Sequence, residues 1–368
     1  MDKNVNGSLL ILGNGFDLNC GLKSSFSDYL QTKLPENIWY IILRFAFNQS
    51  DKPYQNPVFK PIKKRTILWM DVEDYIKRIL YLHRDTTEEK KRLMHFFRCE
   101  NYISVLELSY MERNNVMYMY NNIQFVELKN YFSRHFSINH IGLNLVSFLK
   151  QELVNFENDF KQYIKSISCD EEYKNNSGKI LFDLIDNEEA YDVLTFNYTS
   201  PDADAVNLLA YGNINHIHGS VEDRIIIGFD SSDITTIEDN RTEMSKSFQK
   251  LFFKIENKPL PCKDQIVLLK FYGHSLGNQD YSYFHSIFDY YDIYNNGNVS
   301  LIFYYTPYYE TDEENVRCRN DYIGRIYDLL NSYSLKATIH NEKSNIIISK
   351  LLLENRLFIK EIKKIVKK

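Results

Sequence analysis

The chain has 368 residues, 44% of them hydrophobic and 25% charged, which is enough for one large or two ordinary domains with cores of their own. A formal net charge of −5 supplies no general attraction for a polyanion, and no window approaches the roughly 18 apolar residues of a membrane span. The five cysteines (Cys20, Cys99, Cys169, Cys262 and Cys318) form no CxxC pair and no Cys/His cluster, which argues against a disulfide framework and a structural zinc ribbon.

The start, "MDKNVNGSLLILGNG", has too short an apolar run for a signal peptide, and a cytoplasmic location is expected. The basic stretches "KPIKKR" (60–65) and "KEIKKIVKK" (360–368) read as solvated surface. Aromatic residues make up 15% of the chain, but basic residues do not alternate with them. They read as core, and a nucleic-acid partner is not expected. A homo-oligomer stays open.

Short apolar runs that end in turn residues read as buried strands. They occur at 8–13 ("SLLILG"), 190–197 ("AYDVLTFN"), 213–219 ("NINHIHG"), 224–229 ("RIIIGF"), 265–273 ("QIVLLKFYG") and 299–306 ("VSLIFYYT"), with a weaker one at 335–340 ("LKATIH"). Helical patterns lie between them at 241–254, 280–290 and 312–331. Alternating strand and helix predicts an α/β fold with a mostly parallel sheet. Residues 23–184 differ: "LWMDVEDYIKRILYL", "TEEKKRLMHFFRCE" and "LNLVSFLKQELVNFENDFKQYIKSI" carry apolar residues at helical spacing, and "SCDEEYKNNSGK" (168–179) reads as a closing loop. The expected organisation is a discontinuous sheet domain (1–22 plus 185–345), a large all-helical insertion after the first strand (23–184) and a helical C-terminal tail (346–368).

Glycine is scarce, 13 in all, so the positions that keep it are ones where the backbone needs it. The first strand runs into Gly13-Asn14-Gly15. Strand, glycines and helix form the geometry by which α/β proteins hold phosphates, although a structural turn fits as well; GxGxxG would need glycine where Leu18 stands. Asp17 suits a helix cap or a ribose hydroxyl. Asn197, just past a strand, suits a sugar hydroxyl, an oriented water, or a turn. His216 and His218 lie two apart and would share a face of a regular strand. A metal pair is one reading, but no third ligand follows at telling spacing, and His218 at the strand end suits acid/base work. In "FYGHSLGNQDYSYF" (271–284), Gly273 and Ser275 suit a nucleotide wall, Asp280 a helix start, and His274 a part of the wall rather than a catalyst. A third class of reading is a metal-dependent nuclease, with Asp71, Glu73 and either Glu157 or Asp159 around a divalent ion.

Taken in order, "ILGNGFDLNCGL", "WMDVE", "TFNYT", "HIHGS" and "YGHSLGNQDYSYF" resemble the bacteriophage abortive-infection AbiH family, itself similar to the sirtuin-like NAD-binding superfamily with its Rossmann-like sheet. The resemblance implies NAD as substrate or ligand. Gly13, Asn14 and Gly15 would meet the diphosphate, Thr195 and Asn197 the nicotinamide ribose, and Gly273, Ser275 and Leu276 the adenosine side; His218 with Gly219 would be the catalytic element. A deacylase's four-cysteine zinc module has no counterpart, so no zinc is expected. The implied function is an anti-phage NAD hydrolase that cleaves the nicotinamide–ribose bond and is set off by a phage-derived trigger. The rival is a nucleotide-sensing or partner-binding module without catalysis.

Overall fold

A computed structural model describes residues 7–32, 37, 39–40, 72–73, 141–185, 190–201, 211–230, 240–255, 258–308, 311–338 and 347–365. The elements in chain order are β1 (Gly7–Leu12), α1 (Asn14–Asn19), α2 (Phe26–Gln31), α3 (Ile141–Ser168), α4 (Glu171–Leu184), β2 (Tyr191–Thr195), β3 (Tyr211–His216), α5 (Lys246–Phe252), β4 (Ile266–Tyr272), α6 (Tyr281–Tyr290), β5 (Ser300–Tyr305), α7 (Asp312–Thr338), α8 (Ile347–Leu353) and β6 (Leu357–Glu361).

The strands form one six-stranded sheet in the order β3-β2-β1-β4-β5-β6. Every pairing is parallel. A parallel sheet needs cover on both faces, which is why β1 reads as an unbroken apolar run and is buried at all six positions. Successive side chains alternate between the faces. Leu9, Ile11, Leu269, Phe271, Leu301 and Phe303 pack with Phe284, Ile287 and Phe288 of α6, Leu329 and Leu330 of α7 and Leu351 of α8. Leu10, Leu12, Val193 and Tyr272 pack on the other face with Phe16 of α1 and Ile180, Leu181 and Leu184 of α4. The fold is therefore α/β, with helices on both sides of a parallel sheet.

Several boundaries depart from the sequence reading. Residues 224–229 are not a strand: Ile225 makes a single bridge to Gly219, and Phe229 one to Ser245. Residues 335–338 continue α7, so the strand read at 335–340 is not formed there. The C-terminal segment is a short helix followed by β6, which completes the sheet against β5. The stretch 168–179 is mostly helix rather than loop, because the Asp170 carboxylate accepts the Glu172 N–H at 2.9 Å and caps α4.

The chain divides into two compact units: 1–24, 161–225 and 254–368 in one, 25–160 and 226–253 in the other. Helix α4 thus packs with the sheet, where the sequence reading assigned it to the insertion. In the second unit, Phe26 stacks on Phe160 at 4.6 Å, and Tyr29 meets Phe156 edge-on at 5.6 Å. Lys246 there forms a buried ion pair with Glu73 at 2.9 Å. The helical patterns read at 68–82 and 87–100 lie outside the described residues, apart from Val72 and Glu73.

Candidate functional site

The carboxyl ends of the strands finish level. Leu12 is in register with Thr195 and with Tyr272, and Thr195 with His216. The loops that follow β1, β2, β3 and β4 therefore leave the sheet from one edge. Between β1 and β4 the strand order reverses, and in open α/β sheets ligands bind outside the carboxyl ends at such a point.

At this reversal two loops touch backbone to backbone. Gly13 N–H donates to Tyr272 O at 3.0 Å, Gly15 N–H to Gly273 O at 2.7 Å, and Phe16 N–H to Gly13 O at 2.8 Å. A Cβ on Gly13 would lie 2.5 Å from His274 Cα, and one on Gly15 2.7 Å from Gly273 O. Gly273 has φ +73°, and a Cβ there would lie 2.2 Å from Phe16 N. The glycines are required, but by the approach of one loop to another. The amides of Gly13 and Gly15 are committed to protein carbonyls, which departs from the phosphate cradle expected of them. Asn14 accepts the Ser24 hydroxyl on Oδ1 at 2.6 Å.

Asp17 does not cap α1. It is 2% exposed; Oδ1 accepts the Tyr173 hydroxyl at 2.9 Å and Oδ2 the Thr199 hydroxyl at 2.6 Å. It ties α1 to α4 and to the loop after β2. Burial pushes its carboxyl up from 3.8 to about 6, against the pull of the hydrogen bonds from Thr199 and Tyr173. The cap reading of Asp17 gives way to this structural one, in which both carboxylate oxygens are engaged by protein hydroxyls.

Thr195 and Asn197 shape the loop after β2. Asn197 N–H donates to Thr195 Oγ1 at 3.0 Å, and its side-chain Nδ2 donates to Gly13 O at 3.1 Å. Asn197 is 6% exposed, and its Oδ1 is buried without a hydrogen-bond partner. A buried acceptor left unsatisfied costs about 1–3 kcal/mol, so this atom fits an incoming donor such as a hydroxyl, an amide or water.

The two histidines separate because β3 ends at His216 and a turn follows. His216 lies 3.0 Å from Asn197 O through Nδ1 and 3.0 Å from Ser200 Oγ through Nε2. Burial lowers its pKa, and with both ring nitrogens engaged by protein atoms it braces the Asn197 loop. His218 turns to the opposite partner, with Nε2 at 3.1 Å from Asp280 Oδ1. Gly219, at φ +80°, makes the tight return: a Cβ there would lie 1.8 Å from Arg224 O.

Asp280 was legible as a helix start, and it does stand at the N-cap of α6, but its side chain makes no cap hydrogen bond. Its Oδ2 faces His274 Nε2 at 3.4 Å. His274, read as wall rather than catalyst, accepts the Leu276 N–H on Nδ1 at 2.9 Å. Phe196 stands edge-on to both rings, 5.4 Å from His218 and 4.5 Å from His274. Leu276 is buried with φ +54°, a strained conformation for a branched side chain. Ser275 is half-buried, and its carbonyl accepts Arg325 Nη1 at 3.1 Å. The structure thus brings Asn197, His218, Gly273, Ser275 and Leu276 to one edge of the sheet, and adds Asp280 and His274 to them. No local pattern marks that pairing, since it depends on loops far apart in sequence.

Two of the acidic residues of the nuclease reading have structural partners, and Asp159 is half-buried with its carboxyl pushed up by burial and by Glu152. Glu73 pairs with Lys246, and the Glu157 carboxylate accepts the Ile227 N–H at 2.8 Å; Asp71 lies outside the described residues. Among the described residues no group of three or more His, Cys, Asp or Glu could hold a metal ion. Cys20, Cys169, Cys262 and Cys318 are free thiols, and Cys99 lies outside the described residues. Among the described residues no helix is long and apolar enough to cross a membrane.

A search of curated proteins found no match. The family model of bacteriophage abortive infection AbiH matches residues 9–305, a span that runs from β1 through β5 and includes every site residue from Gly13 to Asp280. The match covers most of the chain and agrees with the motif resemblance, so the chain belongs to the bacteriophage abortive infection AbiH family.

Proposed function

We propose that this AbiH protein is an NAD hydrolase of the sirtuin-like type, cleaving the nicotinamide–ribose bond in the cytoplasm of the infected cell once a phage-derived trigger is present. Family membership supports the abortive-infection role. The strand order β3-β2-β1-β4-β5-β6 supports a Rossmann-like nucleotide domain built on the sheet-bearing unit, since doubly wound sheets of this order take dinucleotides where the order reverses. The observation that carries the reaction type is the convergence of Asn197, with its unsatisfied buried Oδ1, and the His218–Asp280 pair at that edge.

As the bond to nicotinamide stretches, positive charge grows on the ribose and the leaving group departs neutral. Water then adds at the ribose carbon, and one proton must go. His218 takes that proton as general base, a role worth about 10²- to 10⁴-fold. Asn197 Oδ1 accepts from the ribose hydroxyl or from the water. The products are ADP-ribose, nicotinamide and the proton released to solvent. Because the amides of Gly13 and Gly15 are engaged, their part is to set the shape of the pocket wall, with Asn14, Gly219, Gly273, Ser275 and Leu276 forming the remaining edge.

One observation favours a second reading, a nucleotide-sensing module without catalysis: those committed amides remove two phosphate donors that a tight dinucleotide site commonly uses. Incubation of purified, triggered protein with NAD separates the two. Release of nicotinamide and ADP-ribose supports hydrolysis; calorimetric binding of NAD with no turnover supports sensing.

A further inference from the structure

We infer that Asp280 is the positioning residue of this site: it holds His218 as the Nε2–H tautomer, which leaves the basic lone pair on Nδ1, and His274 holds Asp280 in place. The inference rests on the reading of His218 as general base, and it adds a residue to which the family resemblance gave no role.

Asp280 stands where an aspartate would normally accept a backbone N–H at the start of a helix, an interaction worth about 0.5–2 kcal/mol. Its side chain makes no such bond, and the residue sits at φ −118°, ψ 8°. Its two oxygens instead face two imidazoles: Oδ1 lies 3.1 Å from His218 Nε2, and Oδ2 lies 3.4 Å from His274 Nε2.

The hydrogen-bond inventory decides which nitrogens carry protons. A backbone amide can only donate, so the Leu276 N–H at 2.9 Å makes His274 Nδ1 an acceptor and puts the His274 ring proton on Nε2, toward Asp280. A carboxylate can only accept, so the His218 nitrogen that meets Oδ1 carries its proton too. Neutral His218 is then an Nε2–H imidazole whose base is Nδ1.

The surroundings hold this arrangement still. The side chains of His218 and Asp280 are 8% and 15% exposed, which strengthens a charge-assisted hydrogen bond relative to water. Phe196 stands edge-on to both rings, and Tyr283 edge-on to His218 at 5.5 Å. Leu276 adopts its left-handed backbone at the residue whose N–H fixes His274, so the local strain coincides with the contact that sets the tautomer. His218 Nδ1 is buried in this structure, so the bound substrate must open a path to it before the proton of the adding water can pass to Nδ1. The imidazolium that forms is stabilised by the Asp280 carboxylate, which itself takes no proton.

The test uses Asp280→Asn in the full chain. The amide keeps the shape, but its NH₂ can donate to His218 Nε2 and so let the ring proton move to Nδ1. Nitrogen-15 NMR of the histidines should show neutral His218 as Nε2–H in the unsubstituted protein and a population with Nδ1–H in the variant. The rate constant for NAD cleavage should fall by about 10²- to 10⁴-fold with little change in KM. If the variant does not fold, the unsubstituted spectrum alone decides: an Nδ1–H tautomer of His218 there overturns the inference, as does Asp280→Asn turning over NAD at the full rate. Should the unsubstituted protein show the Nε2–H tautomer yet leave NAD intact, the placement by Asp280 is supported and the hydrolase reading is the one that fails.

Discussion

Asp17 is a carboxylate that the fold keeps more easily protonated than the unfolded chain does, and Asp17→Asn exposes the consequence. Its pKa rises from 3.8 to about 6 because burial penalises the charge more than the hydrogen bonds from Thr199 and Tyr173 recover. The sign follows from linkage. Below about pH 4 both states hold the proton; between about pH 4 and 6 the native state keeps it while the unfolded state loses it. Stability therefore falls as pH rises through that window and levels off above it. A shift of about two units corresponds to about 3 kcal/mol at 1.36 kcal/mol per unit. Asparagine carries no charge, can still accept from Thr199, and can donate its NH₂ to the Tyr173 oxygen. The difference in unfolding free energy between Asp17→Asn and the parent should thus shift in favour of the variant by about 3 kcal/mol from pH 4 to pH 7. Urea unfolding at a series of pH values, followed with a probe in the sheet-bearing unit, measures it. Parallel stability curves, or a variant that loses ground as pH rises, would refute the reasoning.

Further outcomes follow from the other contacts. Gly273→Ala meets both a left-handed backbone and a Cβ 2.2 Å from Phe16 N, so it should lower stability by at least about 2 kcal/mol in thermal or urea unfolding, where an exposed glycine such as Gly297 should tolerate the change. Lys246→Met removes the ammonium from the buried Glu73 carboxylate and should cost about 3–5 kcal/mol, most of it recovered in the Lys246→Met/Glu73→Leu double variant. Asn197→Ala should abolish NAD cleavage while the circular dichroism spectrum stays that of the parent, because the side chain's structural contacts, to Gly13 O and to the Asp17 carboxylate, brace loops and no helix or strand depends on them.

The sheet was legible because strands buried on both faces must be apolar throughout: "SLLIL", "YDVLT" and "SLIFYY" announce themselves. Strand β6, "LFIKE", was missed because it lies at the sheet's edge, is half-exposed at Leu357, Phe358 and Ile359, and ends in charged residues inside a basic tail. "RIIIGF" misled in the opposite sense: its apolar side chains are buried, yet Ile225 and Phe229 make only isolated bridges.

At the site, the need for glycine at positions 13, 15 and 273 could be read, but its reason could not. A close approach demands glycine whether the neighbour is a phosphate or another loop, and here the neighbour is the loop across the strand reversal. Local rules read Asp17 as a helix cap or a ribose contact and Asp280 as a helix start. Their carboxylates serve partners that are distant in sequence, Tyr173 and Thr199 for one, His218 and His274 for the other. Local propensity carries no information about which loops a parallel sheet gathers at its edge.

The central claim is that His218 at this edge removes NAD from infected cells. The most direct measurement is the NAD content of cells through an infection, comparing the parent protein with His218→Ala expressed to the same level. The account predicts a collapse of NAD with the parent protein and a preserved pool with the variant. Equal NAD content in the two, with protection intact in either, would contradict it.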